Sequence, residues 1–301
     1  MIDDLKLLTD REVQQFIITG YTIAQADYTP GFHASIYDQI ESVFDAEGNL
    51  GNNILPRIPD IGRIFDHPNV KGAITSLLGP GYVLNPHRHC HLNPPGKKGQ
   101  NWHKDCYVYD HNLRHPRFDW LLAFYYPQET TSDMGPSAIL PGTQIYKTIS
   151  STRPAETEEE ALAICGPAGT VALIHFDSWH RASENVSRKN RYMLKFQFAR
   201  TAPHAAPAWD HQSRVWSPGI SDPQPRVSSD VWDWLCGEET EDTDPPGERV
   251  DVLARLLQSD CEPERLRAAY DLAALGEDGI AVLTSTLREQ SLATIEETTA
   301  Q

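Results

Sequence analysis

Residues 169–198 read GTVALIHFDSWHRASENVSRKNRYMLKFQF, and two strands are legible in that stretch. The first, GTVALIHF, is an unbroken apolar run of strand length that ends at the turn-forming pair Asp177-Ser178. The second, residues 191–198, alternates strictly. A side-chain period of two puts Arg191, Met193, Lys195 and Gln197 on one face and Tyr192, Leu194, Phe196 and Phe198 on the other. Residues 120–126 (WLLAFYY) give a third strand, closed by Pro127. Many short strands between Gly and Pro turns predict a mainly β chain with flanking helices, organised as a sandwich or a jelly roll.

Upstream, Thr9 and Glu12 have capping-box spacing, and Val13, Phe16 and Ile17 form an apolar stripe that Gly20 ends. A helix is expected there, with a strand from Tyr21. Residues 51–101 are rich in Gly, Pro and Asn, which predicts strands and loops rather than long helices. Downstream, composition changes after Cys236. Residues 1–236 read as the main domain, 237–247 (GEETEDTDPPG) as an acidic linker, and 248–301 as a helical appendage. Helical periodicity recurs over 250–257, 263–275 and 280–288, and residues 265–287 resemble a HEAT-like unit. One such unit cannot bury its own apolar faces. It is expected to dock on the main domain, on a second copy in a homodimer, or on a partner protein.

The chain has 301 residues, 40% of them hydrophobic, enough for a large packed core. Its net charge is −16, and residues 237–301 carry 16 acids against 5 arginines, so −11 of that charge lies in the tail. An acidic chain without a basic stripe is a poor ligand for nucleic acid or an anionic membrane. Five scattered cysteines without CxxC spacing suit reduced thiols in a cytosol, and the polar start MIDDLKLLTD lacks the basic, then apolar, pattern of a signal peptide. A soluble, cytoplasmic protein is expected.

His103-Lys104-Asp105 places an imidazole and a carboxylate two residues apart, hence on one side of a strand. His180 follows the GTVALIHF strand. Two imidazoles and one carboxylate make the facial set that holds iron(II) while leaving coordination positions open. The pattern alone is weak: with 12 His and 42 acids, a second pair, His175-Phe176-Asp177, occurs and reads as a strand end with its turn. What strengthens the first is Arg191, eleven residues after His180. A guanidinium offers two parallel donors to the free carboxylate of a chelating 2-oxo acid.

With these residues in view, the chain resembles the phytanoyl-CoA dioxygenase family. The likeness runs from about Leu8 to Arg200, through LTDREVQQFIITGYTIA, NWHKD, DMGPSAILPGTQ and HRASENVSRKNR. It implies a cupin-like double-stranded β-helix, iron(II) held by His103, Asp105 and His180, and 2-oxoglutarate anchored by Arg191. It also implies O₂ as oxidant, with succinate and CO₂ released. Halogenating relatives carry a small residue in place of the carboxylate, so Asp105 implies oxygen chemistry, hydroxylation first. Two positions depart from the family pattern. Gln144 stands where histidine is common, and Ala182 where a serine often touches the cosubstrate, with Ser183 beside it.

His87, His89 and His91 alternate and would share a strand face, open to a zinc site, to cosubstrate contact near His91 or Asn93, or to a lining role. Trp102, Tyr107, Trp120, Tyr125 and Trp179 are candidates for pocket walls or plain core. Lys97 and Lys98 belong to a loop over the site or to a solvated turn. The competing functions are a cupin-type metal enzyme without 2-oxoglutarate, which gives Arg191 no task, and a scaffold whose HEAT-like tail does the work. A small-molecule substrate from biosynthetic tailoring is expected, because no dense basic cluster spells a coenzyme A phosphate site.

Overall fold

The computed structural model describes residues 4–105, 116–146, 161–237 and 249–299. Helix α1 (Asp10–Thr19) starts with the expected capping box, Thr9 accepting from the Glu12 amide while Glu12 returns to Thr9, and it stops at Gly20, whose φ is +75°. Strand β1 (Tyr21–Gln25) follows at once. Between them and the next strand the chain is helical: α2 (Pro30–Glu47), α3 (Ile54–Arg57), α4 (Ile61–Asp66) and α5 (Pro68–Leu78). This corrects the loop-and-strand reading for residues 51–78, whereas residues 79–101 are short strands and loops as expected. Pro68 sits in the first turn of α5, where its missing N–H is not needed. Gly72 inside α5 marks a close approach, since a Cβ there would lie 2.1 Å from the Lys6 carbonyl oxygen.

Two antiparallel sheets form the centre. The larger has the order β1-β7-β4-β9-β2, where β2 is Tyr82–Leu84, β4 Trp120–Tyr125, β7 Thr170–His175 and β9 Arg191–Arg200, with β3 (His89–Asn93) pairing the first half of β9. The smaller runs β6-β5-β8, from Leu162–Ala163, Ser137–Ile139 and His180–Ala182. Alternation along each strand feeds two apolar clusters. Leu121, Ala123, Tyr125, Val171, Leu173, Tyr192, Leu194 and Phe196 pack under the helices. Leu122, Phe124, Ala172, Ile174 and Met193 pack instead with Ile139 and Ile164, between the sheets. Mainly antiparallel sheet with flanking helices is a cupin-like architecture.

The face of β9 that carries Arg191, Met193, Lys195 and Gln197 is therefore interior: their exposures are 1%, 7%, 8% and 1%. Three polar groups have been carried between two sheets. Burial without compensation would cost several kcal/mol each, so that space has a purpose.

Past the sheets, α6 (Pro225–Leu235) lies against α1, and the tail helices α7 (Val250–Leu256), α8 (Glu262–Ala273) and α9 (Glu277–Thr299) share a small cluster around Leu253, Leu257, Ala268 and Leu272. The first of the expected docking options is observed, as α8 meets α6 through Arg226–Asp271 (2.8 Å) and Gln224–Pro263 (2.9 Å). Most of the 237–247 linker lies outside the described residues, as does Tyr107. Among the described residues, no helix is long and apolar enough to cross a membrane.

Asp10 ties the start of α1 to residues 209–213. Its carboxylate accepts from Trp209 Nε1 (2.7 Å), His211 Nδ1 (2.7 Å), Gln212 N (2.9 Å) and Ser213 N (2.8 Å). Burial pushes its pKa up, but the four donors outweigh that and leave it below the usual 3.8. A depressed carboxylate contributes stability above its unfolded pKa and loses it as pH falls through the folded value. Asp10→Ala is expected to cost about 2–4 kcal/mol near neutral pH. Chemical denaturation should show this gap narrowing below about pH 4.

Candidate metal centre

His103 does not lie in a named strand, a correction to the reading of HxD as a strand pair. It forms an isolated antiparallel bridge with His180, each backbone amide donating to the other's carbonyl at 3.1 and 3.0 Å. The intervening Lys104 points away and is buried, its ammonium donating to the carbonyls of Thr143, Gln144 and Tyr146. The segment is thus extended and pinned on both sides. His103 and Asp105 fall on one side by the same alternation that a strand would give.

The imidazoles of His103 and His180 lie with centroids 4.5 Å apart, and His180 Nε2 is 3.9 Å from the Asp105 carboxylate. The donor atoms of all three residues lie within 4.8 Å of one another, and among the described residues no other such cluster forms. Each imidazole donates Nδ1–H to a backbone carbonyl, His103 to Asn101 (2.9 Å) and His180 to Ser178 (3.0 Å). That fixes the tautomer and leaves both Nε2 lone pairs for a metal. Burial, the largest influence, holds the His180 pKa down at about 4, so the ring is neutral at physiological pH. Two imidazoles and a buried carboxylate fit a divalent iron.

A cavity of about 60 Å³ borders this group, lined among others by His91, Asn93, Phe124, Ser137, Arg191 and Lys195. Arg191 is buried, its Nε and Nη2 both donating to the Gly135 carbonyl at 3.1 and 2.7 Å. Asn93 is its cross-strand partner on β3. Both Asn93 amide hydrogens are spent on the carbonyls of Gly135 (2.9 Å) and Ser183 (3.1 Å), leaving only Oδ1, a buried acceptor without a partner. A carboxylate therefore has Arg191 to meet, not Asn93. His91 Nε2 is likewise buried without a partner, and burial first, then Lys195, lowers its pKa to about 3, so it is a neutral group able to donate. An orphaned imidazole beside a buried guanidinium fits a bound dicarboxylate.

The other expected residues separate cleanly. His89 and His91 share a face of β3, while Cys90 is buried opposite, and no zinc cluster forms there among the described residues. Tyr125 is core, bonded to the buried His33 at 2.9 Å. Trp120 packs between the sheets, Trp102 carries Arg181 at 4.6 Å, and Trp179 carries Lys104 at 5.6 Å; none of these lines the cavity. Gln144 is buried away from the cavity and donates to the Ile17 and Ile18 carbonyls at the end of α1, while Ala182 lines the cavity. His175 ends β7 with its Nδ1 accepting from the Asp177 amide, as a turn would. Lys98 pairs with Glu184 at 2.6 Å, and Lys97 donates to the Leu92 carbonyl.

Residues 20–193, more than half of the chain, match the model of the phytanoyl-CoA dioxygenase (PhyH) family. The chain belongs to that family. PhyH proteins are non-haem iron, 2-oxoglutarate-dependent oxygenases, and the His-Asp-His cluster lies within the matched span. Among solved structures, the fold is similar to EctD from S. alaskensis with 2-oxoglutarate and 5-hydroxyectoine (TM-score 0.53, 18% identity, 64% of this chain and 76% of that one). It is also similar to the α-ketoglutarate-dependent carbocyclase SnoK from nogalamycin biosynthesis (TM-score 0.51, 16% identity, 64% and 84%). A third likeness is AviO1 from Streptomyces viridochromogenes (TM-score 0.50, 15% identity, 64% and 96%). No curated protein matches the chain.

Lys195 and Gly135 escape the reading of the sequence as site residues. Lys195 Nζ lies 3.0 Å from Asp105, and Gly135 supplies the carbonyl that aims Arg191. The signal for Lys195 is its place four residues after Arg191 on the same face of β9.

Proposed function

We propose that this PhyH-family chain hydroxylates a small-molecule substrate, as a tailoring step in biosynthesis. His103, Asp105 and His180 hold iron(II), and Arg191 with His91 holds the distal carboxylate of 2-oxoglutarate. Bound iron and cosubstrate supply the oxidising equivalent from O₂, with loss of CO₂ and formation of succinate. The chain's own residues do the rest. The reciprocal bridge between His103 and His180 sets the distance between two ligands, and their Nδ1 bonds turn both Nε2 atoms toward the metal site. Phe124, edge-on to His180 at 5.7 Å, and Met193 keep the cavity wall apolar, which strengthens every charged contact inside.

The observation that carries the proposal is the joint arrival of the three donor groups and buried Arg191 at one cavity. The tailoring context draws on SnoK, whose name places it in nogalamycin biosynthesis. Substrate-dependent succinate formation, with mass spectrometry showing one added oxygen, tests the reading; turnover without succinate would end it. Arg191→Met is expected to weaken 2-oxoglutarate binding about 10- to 150-fold while leaving metal affinity unchanged. Titrating cosubstrate into anaerobic iron-loaded protein and following the charge-transfer band measures both.

A further inference from the structure

We propose that a second cavity, on the far face of β9 from the metal centre, binds a small organic carboxylate with an apolar body, and that Arg200 and His204 receive the carboxyl group. Arg200 ends β9. Its even position shares the face of Tyr192, Leu194, Phe196 and Phe198, which pack under the helices, whereas Arg191 and Lys195 face the cavity between the sheets. It also stands five residues past Lys195, about 17 Å along the strand. The second cavity holds about 570 Å³, a usual size for a small-molecule site, and lies between the end of α5, residues 79–81 and residues 202–209. It shares no lining residue with the cavity at the metal centre.

The first support is a pair of donor groups without acceptors. The Arg200 side chain is 3% exposed, and its Nη2 donates to the carbonyls of Phe118 (3.1 Å) and Leu77 (3.4 Å). Its Nε and Nη1 have no hydrogen-bond partner among the described residues. Asp119 comes within 3.7 Å of Nε, beyond hydrogen-bond distance, and its carboxylate is 54% exposed, so water screens the pair. Burial lowers the Arg200 pKa to about 10, and the guanidinium is still charged at neutral pH. His204 Nε2 is also buried without a hydrogen-bond partner among the described residues. Unsatisfied buried donors are costly, and folded chains seldom carry them without a reason. Trp234 of α6 brings the two groups together, with Arg200 Cζ 4.4 Å from its ring centroid and His204 edge-on at 5.1 Å.

The second support is the wall. Leu7, Leu78, Pro80, Pro203, Ala206 and Trp209 give the cavity an apolar lining, and among the described residues that line it none is acidic. One guanidinium and one imidazole match the two oxygens and the single charge of a carboxylate. The second charge of a phosphate would call for a further Lys or Arg, which the described lining lacks. An apolar body of the ligand gains by leaving water for this wall. Charge and lining together point to an amphipathic acid, with its carboxyl group at Arg200 and its chain or ring against the prolines and leucines.

The test uses the full chain, anaerobic, with iron(II) and saturating 2-oxoglutarate so that Arg191 is occupied. The probes are octanoate, the neutral octanamide and inorganic phosphate, followed by isothermal titration calorimetry. Octanoate is expected to bind about ten-fold or more tightly than octanamide, and phosphate is expected not to displace it. Arg200→Met should erase the preference for the acid. His204→Phe, which keeps an aromatic edge against Trp234, should weaken octanoate binding about three-fold or more. The phenylalanine variant decides the matter if the methionine variant fails to fold, and wild-type octanoate affinity in it then counts against the site. Equal binding of octanoate and octanamide overturns the proposal, as does a folded Arg200→Met protein that keeps the preference. Displacement of octanoate by inorganic phosphate overturns the carboxylate assignment. None of these results bears on the oxygenase reading, because the two cavities have no residue in common.

Discussion

Asp105→Ala is expected to eliminate turnover and to weaken iron(II) binding more than about 100-fold, beyond the 10- to 100-fold typical of losing a mere partner of a ligand. The reason is the donor set. Asp105 is the only carboxylate among the three convergent residues, and removing it leaves two imidazoles, which bring no negative charge to offset that of a divalent ion. The same change also strips Lys195 of the carboxylate at 3.0 Å, so a buried ammonium then faces the incoming metal. Both effects point the same way. Equilibrium dialysis with iron(II) under anaerobic conditions measures the affinity, and circular dichroism checks that the sheets persist. An Asp105→Ala protein that still loads iron as wild type does would remove the metal centre from this cavity.

How much of the fold and the site is legible in the sequence depends on which physical signal each residue leaves. The three donor groups and Arg191 are legible because ligand chemistry restricts residue type and the strand period restricts spacing. The backbone around His103 is not, since nothing local shows that its amide pairs with His180, 77 residues away. Helices α3 to α5 are hidden by composition. Pro68 reads as a breaker although it opens α5, and Gly72 reads as a weak point although it seats α5 against the Lys6 carbonyl. Lys195 misleads in another way. Strict polar–apolar alternation ordinarily marks a strand with one wet face, yet here the polar face turns inward because a second sheet, formed by β5, β6 and β8, covers it. Local pattern fixes which residues share a face and leaves open what lies opposite. The same gap explains the aromatic residues, of which Tyr125 proves to be core.

Gly135→Ala should be the most damaging single methyl group that can be added near the site. Gly135 has φ of +65°, a region that costs an alanine about 1–2 kcal/mol. Its added Cβ would lie 2.4 Å from Asn93 Nδ2, 2.6 Å from the Ser183 carbonyl oxygen and 2.8 Å from the Asn185 amide. Two of those three atoms are backbone in the segment that follows His180, so relief by a side-chain rotation is not available, and overpacking adds about 1–3 kcal/mol. A total loss of about 2–5 kcal/mol of stability is expected, read from denaturant unfolding. The functional cost is separable. The Gly135 carbonyl accepts two hydrogen bonds from Arg191 and one from Asn93, so moving it releases the guanidinium from its fixed aim. Weaker 2-oxoglutarate binding, by about ten-fold, should follow while His103, Asp105 and His180 retain iron(II), because none of them touches Gly135. A folded Gly135→Ala protein with wild-type cosubstrate affinity would mean that Arg191 finds its carboxylate without being held, and that the Gly135 carbonyl does not position it.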